Sequence, residues 1–352
     1  MDWKNCKRIL IIRPDNMGDL LMSSPAIRAL KNSFHCHITL LTSSMSAEVA
    51  ELILEIDEVI VFNLPWYKLA ETSNSDNIFQ LISLLKTLNF DGCILFNVFS
   101  QNPAPCLMLA YLAEIPLRAA YSRENLYGLL THWLPDEEPY SFVQHQVERD
   151  LKLIEFIGGN ILDRNMRIVI PDNHNSIFNS SFKKFNRKQY CVLHPGVSED
   201  KRKFSLQGWV DLGKAIFKEY KLPLLFTGSI ADHDLNSEIC KEIGERTVNF
   251  AGKLSIIELA ECLENAKFLV AVNTGPVHLA AAVNTPIVVL YARTNPQHHP
   301  WMVNYRAVEF DVPEDQRSKN PILQYIHHEF YASQIDYPTT EKIMTQLKEL
   351  LH

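Results

Sequence analysis

The chain has 352 residues, 34 basic and 41 acidic side chains, a formal charge of −7, and 47% hydrophobic against 21% charged residues. Those proportions exclude a disordered tail and a fibre, and the length, at about 100 to 200 residues per domain, predicts two domains that each bury a core. A net acidic chain without a basic block is also not a dedicated nucleic-acid binder, which needs clustered Lys and Arg to neutralise phosphates.

From the start of the chain, Arg8 and Arg13 flank a four-residue apolar run, too short for a signal-peptide core, so secretion is not expected. Strands are predicted at Arg8 to Arg13, Ile38 to Thr42, Val59 to Phe62 and Cys93 to Asn97, with helical stretches at Gly18 to Asn32, Ser46 to Glu55 and Asn77 to Leu88 between them. A polar stretch, Pro171 to Lys188, reads as an interdomain connection. The alternation then restarts, with strands at Tyr190 to His194, Leu224 to Thr227, Phe268 to Val272 and Ile287 to Tyr291. Helices fall at Leu206 to Glu219, Asp232 to Ile243, Ser255 to Asn265 and Pro276 to Val283. Short β-branched runs alternating with helical patterns are the signature of parallel sheets, so the expected fold is α/β, two doubly wound domains with ligands at the carboxyl ends of the strands. No apolar stretch approaches the ~20 residues that cross a bilayer. Cys6, Cys36, Cys93, Cys106, Cys191, Cys240 and Cys262 are odd in number and never spaced as Cys-x-x-Cys, which reads as reduced thiols and a cytoplasmic location.

Only 12 glycines occur, and Gly18, Gly196, Gly228 and Gly275 each follow a predicted strand. At Asn273-Thr274-Gly275-Pro276 a buried strand runs into a helix start, where the amides of Gly275, Val277 and His278 and the helix dipole would cradle a diphosphate. Read alone, this is an ordinary capped strand-to-helix turn, and His278 is as well explained by a helix face as by a ligand. In His194-Pro195-Gly196-Val197-Ser198, amides could meet phosphate oxygens below the mobile charges of Lys201, Arg202 and Lys203. Arg13-Pro14-Asp15-Asn16-Met17-Gly18-Asp19 places the Asp19 carboxylate at the top of a sheet. There it either complements the helix dipole or, with enough burial, acts as a base. Asp232-His233-Asp234 stands at a helix start where acids are expected anyway. His298-His299 and His327-His328 lack metal-ligand spacing, so no metal site is expected.

Together these segments resemble the heptosyltransferases of glycosyltransferase family nine, which use ADP-heptose to build lipopolysaccharide inner core. The resemblance rests on Met17-Gly18-Asp19, Pro25 to Leu30, His194-Pro195-Gly196, Gly252 to Ser255, Asn273 to Pro276, His278 to Ala281 and Thr285-Pro286 in that order. It implies the GT-B fold, two Rossmann-like domains facing a central cleft. The first, 1–170, would hold the acceptor, and after a linker at 171–188 the second, 189–335, would hold the donor. A helix within 336–352 would cross back to the first domain. It implies Asp19 as the general base of an inverting, metal-independent transfer that needs no cofactor beyond the ADP-sugar co-substrate. Met17 and Gly18 fall on the acceptor side. The donor set is Gly196, Val197, Ser198, Arg202, Lys203, Thr227, Asp232, Leu254, Asn273, Thr274, Gly275 and His278. The implied partners are a nucleotide-sugar donor and a glycan or glycolipid acceptor, with transient contact at the inner membrane surface and no nucleic acid.

The chain departs from the pattern at Arg202, where the family has Lys, at Asn273, where it usually has Asp, and at Ala292 to Pro296, where it has Gly-Pro-Thr-Asp-Pro. Residues 1–170 carry 14 basic and 20 acidic side chains, a balance of −6, against 20 and 21 in 171–352, or −1. A net acidic acceptor half is a poor long-range match for a multiply phosphorylated lipid. Two alternatives stay open on the sequence: a GT-B enzyme using another nucleotide sugar, such as a UDP-sugar transferase or an epimerase, and a non-catalytic sugar-nucleotide-binding relative.

Overall fold

A computed structural model describes residues 2–67, 74–171, 186–244 and 246–352. Most of the expected connection at 171–188 therefore lies outside the described residues. The chain divides into two compact units, Met1–Val169 and Ile170–His352. The first contains β1 (Arg8–Arg13), α1 (Met17–Phe34), β2 (His37–Thr42), α2 (Ala47–Ala50), β3 (Glu58–Val61), α3 (Ser75–Thr87), β4 (Gly92–Leu95), α4 (Ala104–Leu112), β5 (Leu117–Ser122), β6 (His132–Pro135) and α5 (Gln146–Phe156). The second contains β7 (Cys191–His194), α6 (Leu206–Tyr220), β8 (Leu224–Phe226), α7 (His233–Ile243), β9 (Thr247–Asn249), α8 (Ile256–Asn265), β10 (Leu269–Val272), α9 (Gly275–Ala282), β11 (Ile287–Ala292), β12 (Tyr305–Phe310), α10 (Pro321–Glu329) and α11 (Thr340–Leu351).

Each unit holds one six-stranded, all-parallel sheet, in the order β3-β2-β1-β4-β5-β6 and β12-β11-β10-β7-β8-β9. The two orders are the same once each is numbered from its own first strand, and each sheet reverses direction of growth beside that strand. Open α/β sheets bind ligands at this point, outside the carboxyl ends of the strands. It falls between β1 and β4 in one unit and between β7 and β10 in the other. The central strands are apolar on both faces because helices cover both: Ile9, Leu10, Ile11 and Ile12 are fully buried, as are Leu269 to Val272. The expected α/β architecture of two Rossmann-like units is therefore present.

Local chemistry explains how helices lead away from these strand ends. Asn16 has extended backbone and starts α1. Pro25 lies inside α1 and cannot donate to the carbonyl of Leu21, but the Ser24 hydroxyl does so at 2.7 Å, leaving no orphaned acceptor. α6 starts at Ser205, whose Oγ accepts the Gly208 amide at 3.0 Å, and α8 starts at Ser255 through a reciprocal capping box with Glu258.

Several elements differ from expectation. Within Ser46 to Glu55 only Ala47–Ala50 is helical, because the Leu52 and Ile53 amides turn back to Val49 and Ala50 in tight turns that bury both side chains. The sequence gives weak signals for β5, with two central alanines, and for α4, whose apolar residues surround the helix without a polar face. Helix α11 carries Ile343, Leu347 and Leu350 into the core that contains Trp209, Phe268 and Phe310. Its buried face thus packs against elements of the second unit. The driving force is the amphipathic i, i+4, i+7 spacing of those three residues, matched by an apolar surface on α6, β11 and β12. No helix among the described residues is long and apolar enough to cross a membrane.

Candidate active site

In the first unit the switch point is built around a buried arginine. Arg13 closes the apolar β1 and is fully buried. Its Nη1 donates to the carbonyl of Phe96, just beyond β4, at 3.1 Å and lies 3.2 Å from Asp15 Oδ2. Its Nη2 lies 3.5 Å from Asp19 Oδ1. Asp19 sits in the first turn of α1, largely buried, with Oδ2 accepting the Asn16 amide at 3.3 Å. Asp19 thus supports the helix start and also presents a largely buried carboxylate beside a cation. Asp150 from α5 adds a third acid, accepting the Ser23 hydroxyl at 2.6 Å and the Gln146 amide at 2.8 Å. Burial pushes the Asp15 carboxyl above its ordinary range, opposed by Arg13 and by the Gln101 amide and reinforced by Asp19 and Asp150. Burial raises Asp150 likewise, against Arg13 and its hydrogen-bond donors. One guanidinium thus serves three carboxyl groups.

A second buried arginine, Arg149, donates from Nε to the Asn97 carbonyl at 2.9 Å and pairs with Asp136 at 2.8 Å and Glu138 at 2.9 Å, with the Tyr121 ring 4.0 Å away. Two consecutive carbonyls past β4, Phe96 and Asn97, are therefore held by two buried guanidinium forks, which fixes the loop flanking the switch point. Sequence reasoning found Asp19 but missed Arg13, whose signal is a charged residue ending an otherwise apolar strand. It could not have found Asp150, which arrives from 127 positions beyond Ser23. Met17 opens α1 and Gly18 is buried beside Asp19.

Next to this cluster lies a pocket of about 500 Å³ whose wall includes Asp15, Asn16, Asn63, Trp66, Tyr67, Gln101 and Asn102. Asn16 links it to the catalytic candidate, since it lines the pocket and its amide donates to Asp19.

In the second unit the switch point is assembled from the turns after β7, β8 and β10. His194, at the end of β7, is buried and shares a 2.9 Å hydrogen bond between Nδ1 and Thr227 Oγ1. Burial pulls its pKa down to about 4, with Asp232 pulling weakly the other way. Below pH 6.5 the unfolded chain takes a proton that the folded imidazole refuses, so this group removes stability as pH falls from 6.5 towards 4, by about 3 kcal/mol at the low end. Replacing His194 with Gln is expected to flatten the difference in denaturant midpoint between pH 7 and pH 4.5. An unchanged slope in the variant would show that His194 is already charged in the fold.

Asp232 is held by Ser229, whose amide and hydroxyl each lie 2.7 Å from Oδ2. A side chain at Gly196 would put its Cβ 2.5 Å from that same oxygen. Gly196 is needed for close approach, and Asp232, Gly196 and Thr227 do share one site. Val197 is half-buried and Ser198 exposed in the following turn. Gly252, at φ +72°, donates its amide to the Gly228 carbonyl at 2.9 Å and so sets the loop leading to half-buried Leu254 beside the turn after β8.

The basic loop is less mobile than expected. Arg202 donates from Nη1 to the Asn273 carbonyl at 2.9 Å and pairs through Nη2 with Glu199 at 3.2 Å. Lys201 shares Glu199 at 3.2 Å, and exposed Lys203 pairs with Asp200 at 2.8 Å. Arg202 is thus tied to the carboxyl end of β10, whereas the Lys203 pair is a surface one worth about 0 to 1 kcal/mol and readily exchanged for an anion. The Asn273 side chain also has an unexpected occupation. Its Nδ2 donates to the Ala292 carbonyl at 3.0 Å and its Oδ1 accepts the Ala292 amide at 3.1 Å. Two of the chain's departures from the family pattern, Asn273 and Ala292, therefore meet each other and splint β10 to β11. Asn273→Asp would turn the Nδ2 contact into a carboxylate facing a carbonyl, with an expected loss of about 1 to 3 kcal/mol in stability. Equal denaturant midpoints for the two proteins would contradict the splint. Arg293, the third departure, is buried below the site, bonding Asp311 at 2.8 Å and the Ser333 carbonyl at 2.6 Å with the Tyr331 ring 4.5 Å away. It holds the 311–333 segment.

Thr274 has extended backbone and starts α9, with Pro276 in its first turn. The expected cradle is narrower by one donor, because the Val277 amide already bonds the Thr274 carbonyl at 3.0 Å. His278 is buried, its ring 6.4 Å from that of His298. Among the described residues no group of three or more His, Cys, Asp or Glu is placed to hold a metal ion, and all seven cysteines are free thiols.

The chain is 25% identical over 299 residues to a putative glycosyltransferase of Haemophilus influenzae, covering 81% of this chain and 82% of that one. It is 24% identical over 333 residues to lipopolysaccharide heptosyltransferase 3 of Escherichia coli, covering 86% and 90%. Among solved structures, a family 9 glycosyl transferase from Veillonella parvula superposes with a TM-score of 0.77 at 17% identity over 100% of this chain and 98% of that one. The ADP-heptose lipopolysaccharide heptosyltransferase II of E. coli does so with 0.72 at 19% identity over 98% of each. These place the fold among GT-B proteins. Residues 84–325 match the description "Glycosyltransferase family 9 (heptosyltransferase)", and the chain belongs to that family as a glycosyltransferase.

Proposed function

We propose that the chain transfers a heptose or a closely related sugar from an ADP-sugar to a hydroxyl of a lipopolysaccharide-core or similar glycan, inverting the anomeric carbon without a metal. The observation that carries this reading is Asp19, a largely buried carboxylate at the carboxyl end of β1, 3.5 Å from a fully buried guanidinium. Relatives named as lipopolysaccharide heptosyltransferases supply the substrate class.

In this reading the acceptor oxygen attacks the anomeric carbon as its proton passes to Asp19. The bond from that carbon to the diphosphate breaks with its electron pair leaving on ADP. Charge builds on the departing diphosphate, so preorganised donors contribute most. The Gly275 amide and the start of α9 face that charge, with Lys203 released from Asp200 to meet it and Arg202 held at the end of β10. The Gly196 turn suits a hydroxyl-bearing part of the donor better than a phosphate, because the Asp232 carboxylate lies beside it. Leu254 offers apolar surface to the base, and Thr274 and His278 flank the phosphates. A glycolipid acceptor would bring the protein into transient contact with a membrane surface.

The test is a donor panel on the purified chain with a heptose-deficient lipopolysaccharide core as acceptor, detecting the product by mass spectrometry. Transfer from ADP-heptose, with greater thermal stabilisation by ADP than by UDP, is expected. Transfer from a UDP-sugar with stronger UDP stabilisation would replace this reading by the UDP-dependent one. Nucleotide binding without transfer from any donor would favour a non-catalytic relative.

A further inference from the structure

We propose that the pocket beside Asp15 in the first unit is a subsite for an uncharged pyranose, stacked on Trp66 and hydrogen-bonded by Asn63, Asn102 and Asp15, and that it selects unphosphorylated over phosphorylated acceptor sugars. The proposal rests on the transferase reading above for its place in the reaction, but its chemistry comes from the pocket itself.

The size is the first constraint. A volume of about 500 Å³ accommodates one or two sugar rings and little more. The wall chemistry is the second. A pyranose has an apolar C–H face and a rim of hydroxyls, so it needs an aromatic surface ringed by short polar groups. Trp66 is 37% exposed and its Nε1–H is occupied by Cys106 Sγ at 3.4 Å, which fixes the ring without consuming its face. The Cys106 thiol also reaches the Tyr67 hydroxyl at 3.9 Å, so one sulfur braces both aromatics. Asn63 and Asn102 each use their side-chain oxygen on backbone amides, at Ser44 (2.9 Å) and Ala104 (3.0 Å). That orients both amide groups, and each Nδ2 has no partner among the described residues, leaving two fixed donors on the rim.

Charge is the third constraint. Asp15 is the charged side chain among the described residues lining the pocket, and no Lys or Arg among the described residues lines it. Arg13 stands behind Asp15, but Asp15, Asp19 and Asp150 outnumber it, and the whole half of the chain carries −6. A phosphorylated sugar would enter a negative field with no lining cation among the described residues to receive it, whereas a hydroxyl can donate to the Asp15 carboxylate. Asn16 completes the placement, since it shares the pocket wall and bonds Asp19, so a ring seated here brings a hydroxyl towards the general base.

The experiment is saturation-transfer NMR on the full chain without any donor, using methyl α-D-mannopyranoside and mannose 6-phosphate as probes, for the wild type, Trp66→Ala, Trp66→Phe and Asn102→Asp. The expected result is a clear signal from the methyl glycoside, weaker binding of the phosphate, and a loss of about tenfold in affinity on Trp66→Ala that Trp66→Phe largely restores. Asn102→Asp, a surface change that leaves the core alone, removes a donor and is expected to weaken the glycoside and exclude the phosphate further. The denaturant midpoint, measured in parallel, reports that each variant is folded, and ADP binding is expected to stay unchanged. Equal or stronger binding of mannose 6-phosphate, a Trp66→Ala protein that binds ADP and glycoside as before, or no glycoside signal at all would each overturn the proposal. Failure of the transferase reading shows instead as absence of transfer with every donor, a result that leaves the donor-free glycoside titration standing.

Discussion

Asp19→Asn is expected to lower the transfer rate by about 10²- to 10⁴-fold, the usual contribution of a general base, while ADP binding and fold are kept. The substitution keeps the volume of the side chain. Its oxygen can still accept the Asn16 amide that Asp19 accepts at 3.3 Å, so the start of α1 loses little. What is lost is the acceptor for a proton. An amide cannot take one, and its Nδ2 would face the Arg13 guanidinium, donor against donor, where the carboxylate oxygen now stands 3.5 Å away. The measurement is ADP release from donor plus acceptor beside a binding isotherm for ADP alone. Undiminished turnover with normal binding would reduce Asp19 to its structural role at the helix start and leave the acceptor hydroxyl without an assigned base. A parallel fall in ADP affinity would point instead to misfolding, and the denaturant midpoint of the variant separates the two.

The parts of this protein that could be read from sequence are those in which chemistry is local. The strands β1, β7, β10 and β11 are near-continuous apolar runs because a doubly wound sheet is covered on both faces, and the turns that follow them carry small or polar residues for the same topological reason. That is why Asp19, Gly196 and Asn273 to Gly275 could be singled out. What escaped depends on residues far apart in the chain. Nothing around Asp150 announces that it will face Arg13, and nothing around Trp66 announces a pocket shared with Asp15 and Asn102. The departures from the family pattern were visible, but their meaning was not. Asn273, read as a changed ligand contact, also splints Ala292, while Arg293, within the changed 292–296 segment, holds Asp311 and Ser333. Arg202, read as mobile charge above a phosphate, is tied to the backbone at Asn273. In each case a polar side chain satisfies a backbone group at a strand end, and a single sequence does not reveal which of its possible partners a side chain will find.

Replacing Arg13 with Met is expected to cost about 3 to 5 kcal/mol in stability, the usual consequence of removing one partner from a buried ionic cluster. Methionine fills much of the space, so the loss comes from what remains. The Phe96 carbonyl loses its 3.1 Å donor, and Asp15 and Asp19 lose the guanidinium that stands beside them, while Asp150 keeps only the charge of Arg149. Proton uptake is the way such carboxylates can be neutralised without unfolding. Burial already pushes Asp15 and Asp150 above the ordinary range, and without Arg13 the guanidinium charge opposing this is gone from Asp15 and only that of Arg149 is left to act on Asp150. A carboxyl whose folded pKa exceeds its unfolded value binds more protons in the fold, so the variant regains stability as pH falls from the raised folded value towards about 4. The deficit relative to wild type is therefore expected to be large at pH 8 and distinctly smaller at pH 5, read from denaturant midpoints at both. Arg13→Lys should fall between the two proteins. An ammonium retains the charge, but its compact point charge cannot hold the Phe96 carbonyl and both carboxylates in the planar fork geometry. If Arg13→Met shows the same deficit at pH 5 and pH 8, the acids are not what Arg13 neutralises. The preorganised charge beside Asp19 would then have to come from another source.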